Sequence, residues 1–297
     1  MLDYKLLEAL AAVLQWQSFE RAAEQLCITQ SAVSQRIRLL EERMGQPVLI
    51  RGTPLKATAE GEKLLAHVQK VQLLEHSLQQ ELQAFAQDEF TRMRLAVNAD
   101  SLTIWLLPVF AQLFEQQRVL VDLVVEDQDF TLTKLKKGEV IGCVSAQEAQ
   151  VPGCNRTLLG VMPYVMVATP AFAQRYFPNG MDRASLSQAP AILFGPNDLM
   201  QDRYLSRFHQ LGPGDYPYHV VPSVDGFVGA ISRGIAYGLV PEVQIRAELA
   251  AGTLVNLAPA NPLPVALYWY HWRLQTPALA ALGKLLVKEA GKVMEPA

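Results

Sequence analysis

Between Phe19 and Glu41 the apolar and polar positions separate at helical spacing into two faces. Val33, Ile37 and Leu40 recur three and four residues apart and predict a core-facing stripe. Gln30, Ser31, Ser34, Gln35 and Arg38 collect on the opposite side, where amides, hydroxyls and a guanidinium can meet base edges and phosphates. Ala22 and Ala23 allow close approach of a preceding short helix. Ser18 is placed to cap that helix, and Thr29 to cap the second. The pattern predicts a helix-turn-helix whose second helix is a reading head.

Downstream, short β-prone runs flank Gly52-Thr-Pro54 and predict a hairpin wing with Arg51 and Lys56 near its tip. Thr58 then opens a long helix running to about Ala86. Its apolar positions Leu64, Val68, Val71, Leu78, Leu82 and Phe85 follow alternating steps of four and three, interrupted by Glu75. Such a stripe needs a partner: a second copy of the helix, or the chain's own C-terminal domain. Gln87 to Thr91 reads as a hinge. Beyond it, strands are predicted at Arg94–Asn98, Val119–Val125 and Val140–Ser145, with helices at Ser101–Glu115 and Leu132–Lys137 between them. Further strands are expected at Ala191–Phe194, Tyr218–Pro222, Ala236–Val240, Leu254–Leu257 and Val265–Tyr270, and a last helix from Pro277. This alternation predicts parallel sheets covered on both faces, arranged as two α/β lobes with a cleft between them.

The expected units are a winged helix-turn-helix domain at 1–58, a linker helix and hinge at 59–90, and a two-lobed domain at 91–297. Lobe 1 would comprise about 91–163 plus 266–297, and lobe 2 about 164–265.

Composition narrows the class. With 297 residues, 50% hydrophobic and 19% charged, the chain can bury a substantial core and is not a disordered polymer. The N-terminus lacks the pattern of a signal peptide, and no apolar run approaches a membrane span, so a cytoplasmic protein is expected. Cys27, Cys143 and Cys154 are odd in number and widely spaced, which predicts reduced core thiols. The five histidines have no metal-ligand spacing, and no nucleotide-binding or hydrolase motif is present, so no metal, cofactor or catalytic activity is expected. The net charge of −3 gives no broad attraction to nucleic acid. Between Thr29 and Lys56, however, Arg36, Arg38, Arg43, Arg51 and Lys56 face only Glu41 and Glu42, so the positive field is local.

Ligands of open α/β sheets sit beyond the carboxyl ends of strands, where helix N-termini offer free N–H groups. Asn98-Ala-Asp-Ser-Leu-Thr103 occupies such a place. Asp100 there is either a helix cap or a ligand-binding acid, and the Ser101 and Thr103 hydroxyls lie beside it. Glu126 and Asp127, Asp198, and Asp225 end other strands, with Ser145 and Ser223 as further hydrogen-bonding candidates. Together these acids suggest a pocket for a cation.

Over essentially its whole length the chain resembles the LysR-type transcriptional regulators. Ala22-Ala-Glu-Gln-Leu26, Thr29-Gln-Ser-Ala-Val-Ser-Gln-Arg-Ile37, Leu40-Glu41, Gly45, Arg51 and Thr58-Ala-Glu-Gly61 fall where that family's signature places them. Cys27–Ile37, Leu95–Pro108 and Tyr176–Gly180 are similar to its arginine- and lysine-responsive subgroup, also described as inhibitors of chromosome initiation. The resemblance implies a periplasmic-binding-protein-like effector domain and a homodimer or tetramer on promoter DNA. It also implies a basic amino acid, lysine or arginine, in the interlobe cleft, altering contact with DNA or RNA polymerase. By family position Gln30, Ser31, Ser34 and Gln35 would read bases, Thr29 would lie with them in the DNA-binding surface, and Arg36, Arg38 and Arg51 would contact phosphate or the minor groove. Ser31 stands where many members carry proline, Gln35-Arg36 reverses a common order, and Leu49 replaces a usual phenylalanine, so no operator sequence carries over. Three rivals remain: a DNA-organising or replication-origin protein, a regulator of a different metabolite, and an enzyme fused to a DNA-binding module.

Overall fold

In the computed structural model, which describes residues 3–82, 90–195, 198–274 and 276–296, the first 68 residues close around one core. Helices α1 (Tyr4–Trp16), α2 (Phe19–Gln25) and α3 (Gln30–Met44) begin at side-chain caps: Asp3 accepts from Lys5 N, Ser18 from Arg21 N and Thr29 from Ala32 N. The last two caps are those expected from sequence; α1 was not anticipated. Gly45, at φ +70°, ends α3 in a left-handed turn that a side chain would resist. Leu7, Leu10 and Val13 of α1, Ala22 and Ala23 of α2, and Val33, Ile37 and Leu40 of α3 are buried together. Each fully buried aliphatic chain contributes about 1.5–3 kcal/mol. The wing is a short antiparallel hairpin, β1 (Leu49–Ile50) and β2 (Lys56–Ala57).

Thr58 then accepts from Gly61 N and donates to Pro47 O, starting the linker helix α4 (Ala59–Leu82). The structure corrects the seam expected along this helix. Leu64 and Val68 are buried in the N-terminal core of their own chain, because the first turns of α4 lie across α1, where Tyr4 Oη meets His67 Nε2 at 3.1 Å. Val71 is half-buried. The side chains of Leu78, Leu82 and Phe85, and Gln87 to Glu89 of the hinge, fall outside the described set. The outer flank of α4 also rests on the C-terminal domain. Lys137 Nζ pairs with Glu62 Oε1 at 3.1 Å, Ala66 packs against Gly138, and Lys70 Nζ lies 3.3 Å from the centre of a Trp272 ring.

That domain is built on a seven-stranded sheet. Strand β3 (Thr91–Val97) leads into α5 (Ala99–Ser101), a π-helical turn (Leu102–Leu106) and α6 (Leu107–Gln117), then β4 (Val119–Val125), α7 (Thr131–Lys136) and β5 (Gly142–Ser145). Next come the long β6 (Cys154–Ala168), α8 (Pro170–Tyr176), α9 (Arg183–Leu186), β7 (Ala191–Leu193), α10 (Met200–His209) and β8 (Tyr218–Val220). The chain continues through α11 (Val224–Ser232), β9 (Gly238–Pro241), α12 (Arg246–Ala251), β10 (Val255–Asn256), β11 (Leu263–Trp272) and α13 (Pro277–Ala290). Strands run in the order β10-β6-β11-β5-β3-β4, with β9 also on β6; β7 and β8 pair separately.

The all-parallel expectation holds only within each lobe's own βα units. β3 pairs in parallel with β4 and β5, and β7 with β8, whereas every pairing of β6 and β11 is antiparallel. The reason is topological: two strands carry the chain out to lobe 2 and back, and a return strand beside its outgoing partner must run the other way. Strand β6 has no precedent in the sequence pattern, where Pro163 sits mid-run. Pro163 faces Pro264 across the pair, at the stretch where the strands pass between lobes.

Cys143 and Cys154 are buried, as expected, and burial pushes both thiols up, Cys154 to about 11. Cys27 departs from expectation: it is exposed in the α2–α3 turn at φ +52°.

Candidate DNA interface and effector cleft

Helix α3 presents Gln30, Ser31, Gln35 and Arg38 to solvent, with Ser34 and Arg36 half-buried. At 100° per residue, Arg36 lies about 140–160° around the helix from Ser31, Ser34 and Arg38 but only about 100° from Gln35, so it borders the reading face on the Gln35 side without sharing it. The Thr29 hydroxyl caps the helix and lies 2.9 Å from Ser31 Oγ, which fixes both at the end that would enter a groove. Arg38 Nε donates to Glu42 Oε1 at 3.0 Å. Both side chains are exposed, and such a pair is weak enough to yield to a phosphate. Arg51 projects from the wing, exposed.

The cleft lies between the lobes and offers about 670 Å³ of space, part of it open to solvent. Lobe 1 contributes Asn98, Asp100, Glu126, Asp127 and Gln128 from the ends of β3 and β4. Lobe 2 contributes Phe194, Asp198, Gln201 and Phe227, with Tyr164 on the crossover strand between them. The described lining residues include four carboxylates and no Lys, Arg or His. Tyr164 Oη donates to Asp100 Oδ2 at 2.6 Å. Desolvation raises the Asp100 carboxyl above its ordinary range, the Tyr164 bond pulls it back, and the charge of Asp198 raises it further. Asp127 is pushed up to about 6, chiefly by burial. Asp198 accepts from Phe194 N at 2.9 Å and Met200 N at 3.0 Å, so it orders its loop and adds negative charge. Across the lobes, Arg203 Nη1 pairs with Asp129 Oδ2 at 2.6 Å.

Of the acids and hydroxyls singled out in the sequence, Asp100, Glu126, Asp127 and Asp198 meet in this cleft and five others do not. Asp100 is not the cap of its helix: Asn98 occupies the cap position, and the Asp100 side chain turns to Tyr164. Ser101 is fully buried beneath the helix. The Thr103 hydroxyl bonds back to Ala99 O and lines, with Asp225, a separate shallow groove. Ser145 is buried with its hydroxyl on Gln128 O, holding the β4–α7 loop from behind. Ser223 is spent as the cap of α11, accepting from Gly226 N. The error was one of direction. A strand end says that a residue is near the cleft, while helix phase and local caps decide whether its side chain faces it.

Sequence reasoning missed Tyr164, Gln128, Gln201 and Phe227, which reach the cleft by tertiary packing. Asn98 carried a signal, standing at the end of the first strand beside Asp100. Among the described residues no group of acids, cysteines and histidines is arranged to hold a metal ion, and no helix is long and apolar enough to cross a membrane.

Two family models match the chain: the bacterial regulatory helix-turn-helix protein of the lysR family over residues 4–62, and the LysR substrate binding domain over residues 86–291. The chain is 46% identical to a Pseudomonas fluorescens (strain Pf0-1) protein named HTH-type transcriptional regulator ArgP, over 100% of this chain and 99% of that one. It superposes on the crystal structure of ArgP from Mycobacterium tuberculosis with a TM-score of 0.88, at 35% identity and 100% coverage of both chains. Full-length LysG from Corynebacterium glutamicum with bound effector Arg matches with a TM-score of 0.80 and 33% identity, covering 99% of this chain and 100% of that one.

Proposed function

Because the chain belongs to the LysR family of DNA-binding transcriptional regulators that respond to an effector, we propose that its effector is a basic amino acid, lysine or arginine. The observation that carries this is the charge of the cleft. Asp100, Glu126, Asp127 and Asp198 line it without a basic side chain among the described residues, and burial, with the charge of neighbouring acids, raises the carboxyls of Asp100 and Asp127. A ligand with a cationic head and an amino-acid end relieves that strain, because opposite charge nearby favours the ionised carboxylates. The apolar walls Ile192, Phe194, Phe227 and Leu239 suit a methylene stem. That LysG, 33% identical to this chain, is an effector-responsive protein with bound Arg supports the same ligand chemistry.

In this proposal α3 supplies the contacts with promoter DNA, with Gln30, Ser31, Ser34 and Gln35 toward bases and Arg36, Arg38 and Arg51 toward phosphates. The target promoters are those of amino-acid transport or metabolism. Two chains pair through the second half of α4, where Leu74 is 48% exposed, and so present two reading helices to paired half-sites.

The deciding experiment is thermal unfolding of the full-length protein with L-arginine, L-lysine, L-citrulline and L-glutamate. A ligand that binds only the folded state raises the midpoint by mass action. Arginine or lysine should raise it; a rise with glutamate alone would reassign the effector while leaving the regulator intact. Footprinting on promoter DNA then separates a site-specific regulator, whose pattern changes with ligand, from a DNA-organising protein, whose coverage is diffuse and indifferent to it.

A further inference from the structure

Two neutral amides in the cleft are left with unused hydrogen-bonding capacity. Asn98, 4% exposed, sits at the end of β3 in lobe 1, and Gln201, 2% exposed, lies in the first turn of α10 in lobe 2. Both line the cleft, and Asn98 Oδ1 and Gln201 Oε1 have no hydrogen-bond partner among the described residues. Asn98 stands at a helix cap position yet makes no side-chain cap bond, so its amide is not consumed locally. The Gln201 amide directs its N–H groups at Met166 Sδ, a poor acceptor 3.8 Å from Nε2, and at the Tyr237 hydroxyl, which leaves Oε1 as the unused end. A buried acceptor without a donor costs about 1–3 kcal/mol, so two in one cleft mark places where a ligand's N–H groups complete the structure.

The carboxylates add to the demand for donors. Asp100 uses one oxygen on Tyr164, leaving the other free, and Asp127 uses Oδ1 on Asp129 N. The buried part of the cleft therefore presents acceptors on both lobes, some charged and two neutral. An ammonium has three donors around one atom and holds its water strongly. A guanidinium has five, spread in a plane over three nitrogens, and is less strongly hydrated. Only the wider group has donors enough to serve carboxylates and amides on both sides of the cleft at once.

Resting on the proposal that this cleft holds a basic amino acid, we infer that Asn98 and Gln201 are specificity-determining residues that favour arginine over lysine. They accept guanidinium N–H groups from opposite lobes. Arginine thereby ties lobe 1 to lobe 2 through neutral hydrogen bonds as well as through charge, while lysine is held by the carboxylates alone.

The test is calorimetric titration of full-length wild-type, Asn98→Ala and Gln201→Met protein with L-arginine, L-lysine and L-citrulline, the last having arginine's shape without its charge. Wild type should bind arginine about ten- to a hundredfold more tightly than lysine. Each variant should lose about tenfold or more for arginine and less than threefold for lysine, narrowing the gap. Gln201→Met keeps side-chain length and adds no polar atom, so it decides the matter should Asn98→Ala fail to fold. Equal affinities in wild type, or variants that weaken both amino acids alike, overturn this inference and leave basic-amino-acid sensing standing. Silence toward both amino acids, or citrulline binding as well as arginine, overturns the sensing proposal and this inference with it.

Discussion

Asp100→Asn separates the two jobs a carboxylate can have in this cleft. Asparagine keeps an oxygen to accept from Tyr164 Oη, which sits 2.6 Å from Asp100 Oδ2, so the local geometry survives and only the charge is removed. In the free protein that charge is a burden. The carboxyl is desolvated, Asp198 repels it, and no basic side chain lines the cleft among the described residues. The variant should therefore unfold at a higher temperature than wild type in the absence of ligand. With ligand the sign reverses. A cation about 4 Å from a carboxylate gains about 4 kcal/mol at an effective dielectric of about 20, an upper figure because Asp127 and Asp198 remain. A loss of about 2–4 kcal/mol corresponds to a rise of about 30- to 1,000-fold in Kd for arginine or lysine. Calorimetric titration gives the affinity, thermal unfolding gives the stability, and operator affinity without ligand should not change. A Kd within threefold of wild type would refute Asp100 as a ligand-binding acid. A lower unfolding temperature would instead make it a structural anchor for Tyr164.

Further outcomes are expected at three places in the chain. Asp127 has its carboxyl pushed up to about 6, so protons compete with a cationic ligand: affinity should be flat above about pH 7 and weaken toward pH 5 in titrations at several pH values. The same shift acts oppositely on folding. A carboxyl raised above its unfolded value disfavours the folded state at high pH, and that penalty is relieved as pH falls through about 6. At Gly138, φ is +73° and an added Cβ would collide with Ala66 Cβ, so Gly138→Ala should destabilise the full-length protein by about 2–4 kcal/mol in denaturant titration, through backbone strain and overpacking of α4 against lobe 1. On DNA, Gln35→Ala should relax base preference, while Arg38→Ala should weaken all sequences alike with a shallower salt dependence, as measured by operator binding across a salt series.

The legibility of the chain followed the range of the forces involved. Ser18, Thr29 and Thr58 were recognisable as caps because a cap is satisfied by amides two or three residues away. The buried stripe Val33, Ile37, Leu40 was recognisable because helical phase fixes it. Asp127 and Asp198 reached the cleft as expected from strand ends, but Ser145 and Ser223 did not, because nearer partners took their hydroxyls first.

Local periodicity and capping were enough to reveal the helix-turn-helix with its polar face, the wing, and every strand of the two-lobed domain except β6. Only tertiary structure decided the rest. It turned Leu64 and Val68 into the protein's own core, since an apolar stripe does not specify which surface will cover it. It ran β6 and β11 antiparallel between the lobes, a consequence of the chain having to return. It brought Tyr164 to Asp100 across 64 residues and set Asn98 and Gln201 in the walls of one cleft. Those meetings depend on how lobes pack, and no spacing along the chain encodes them.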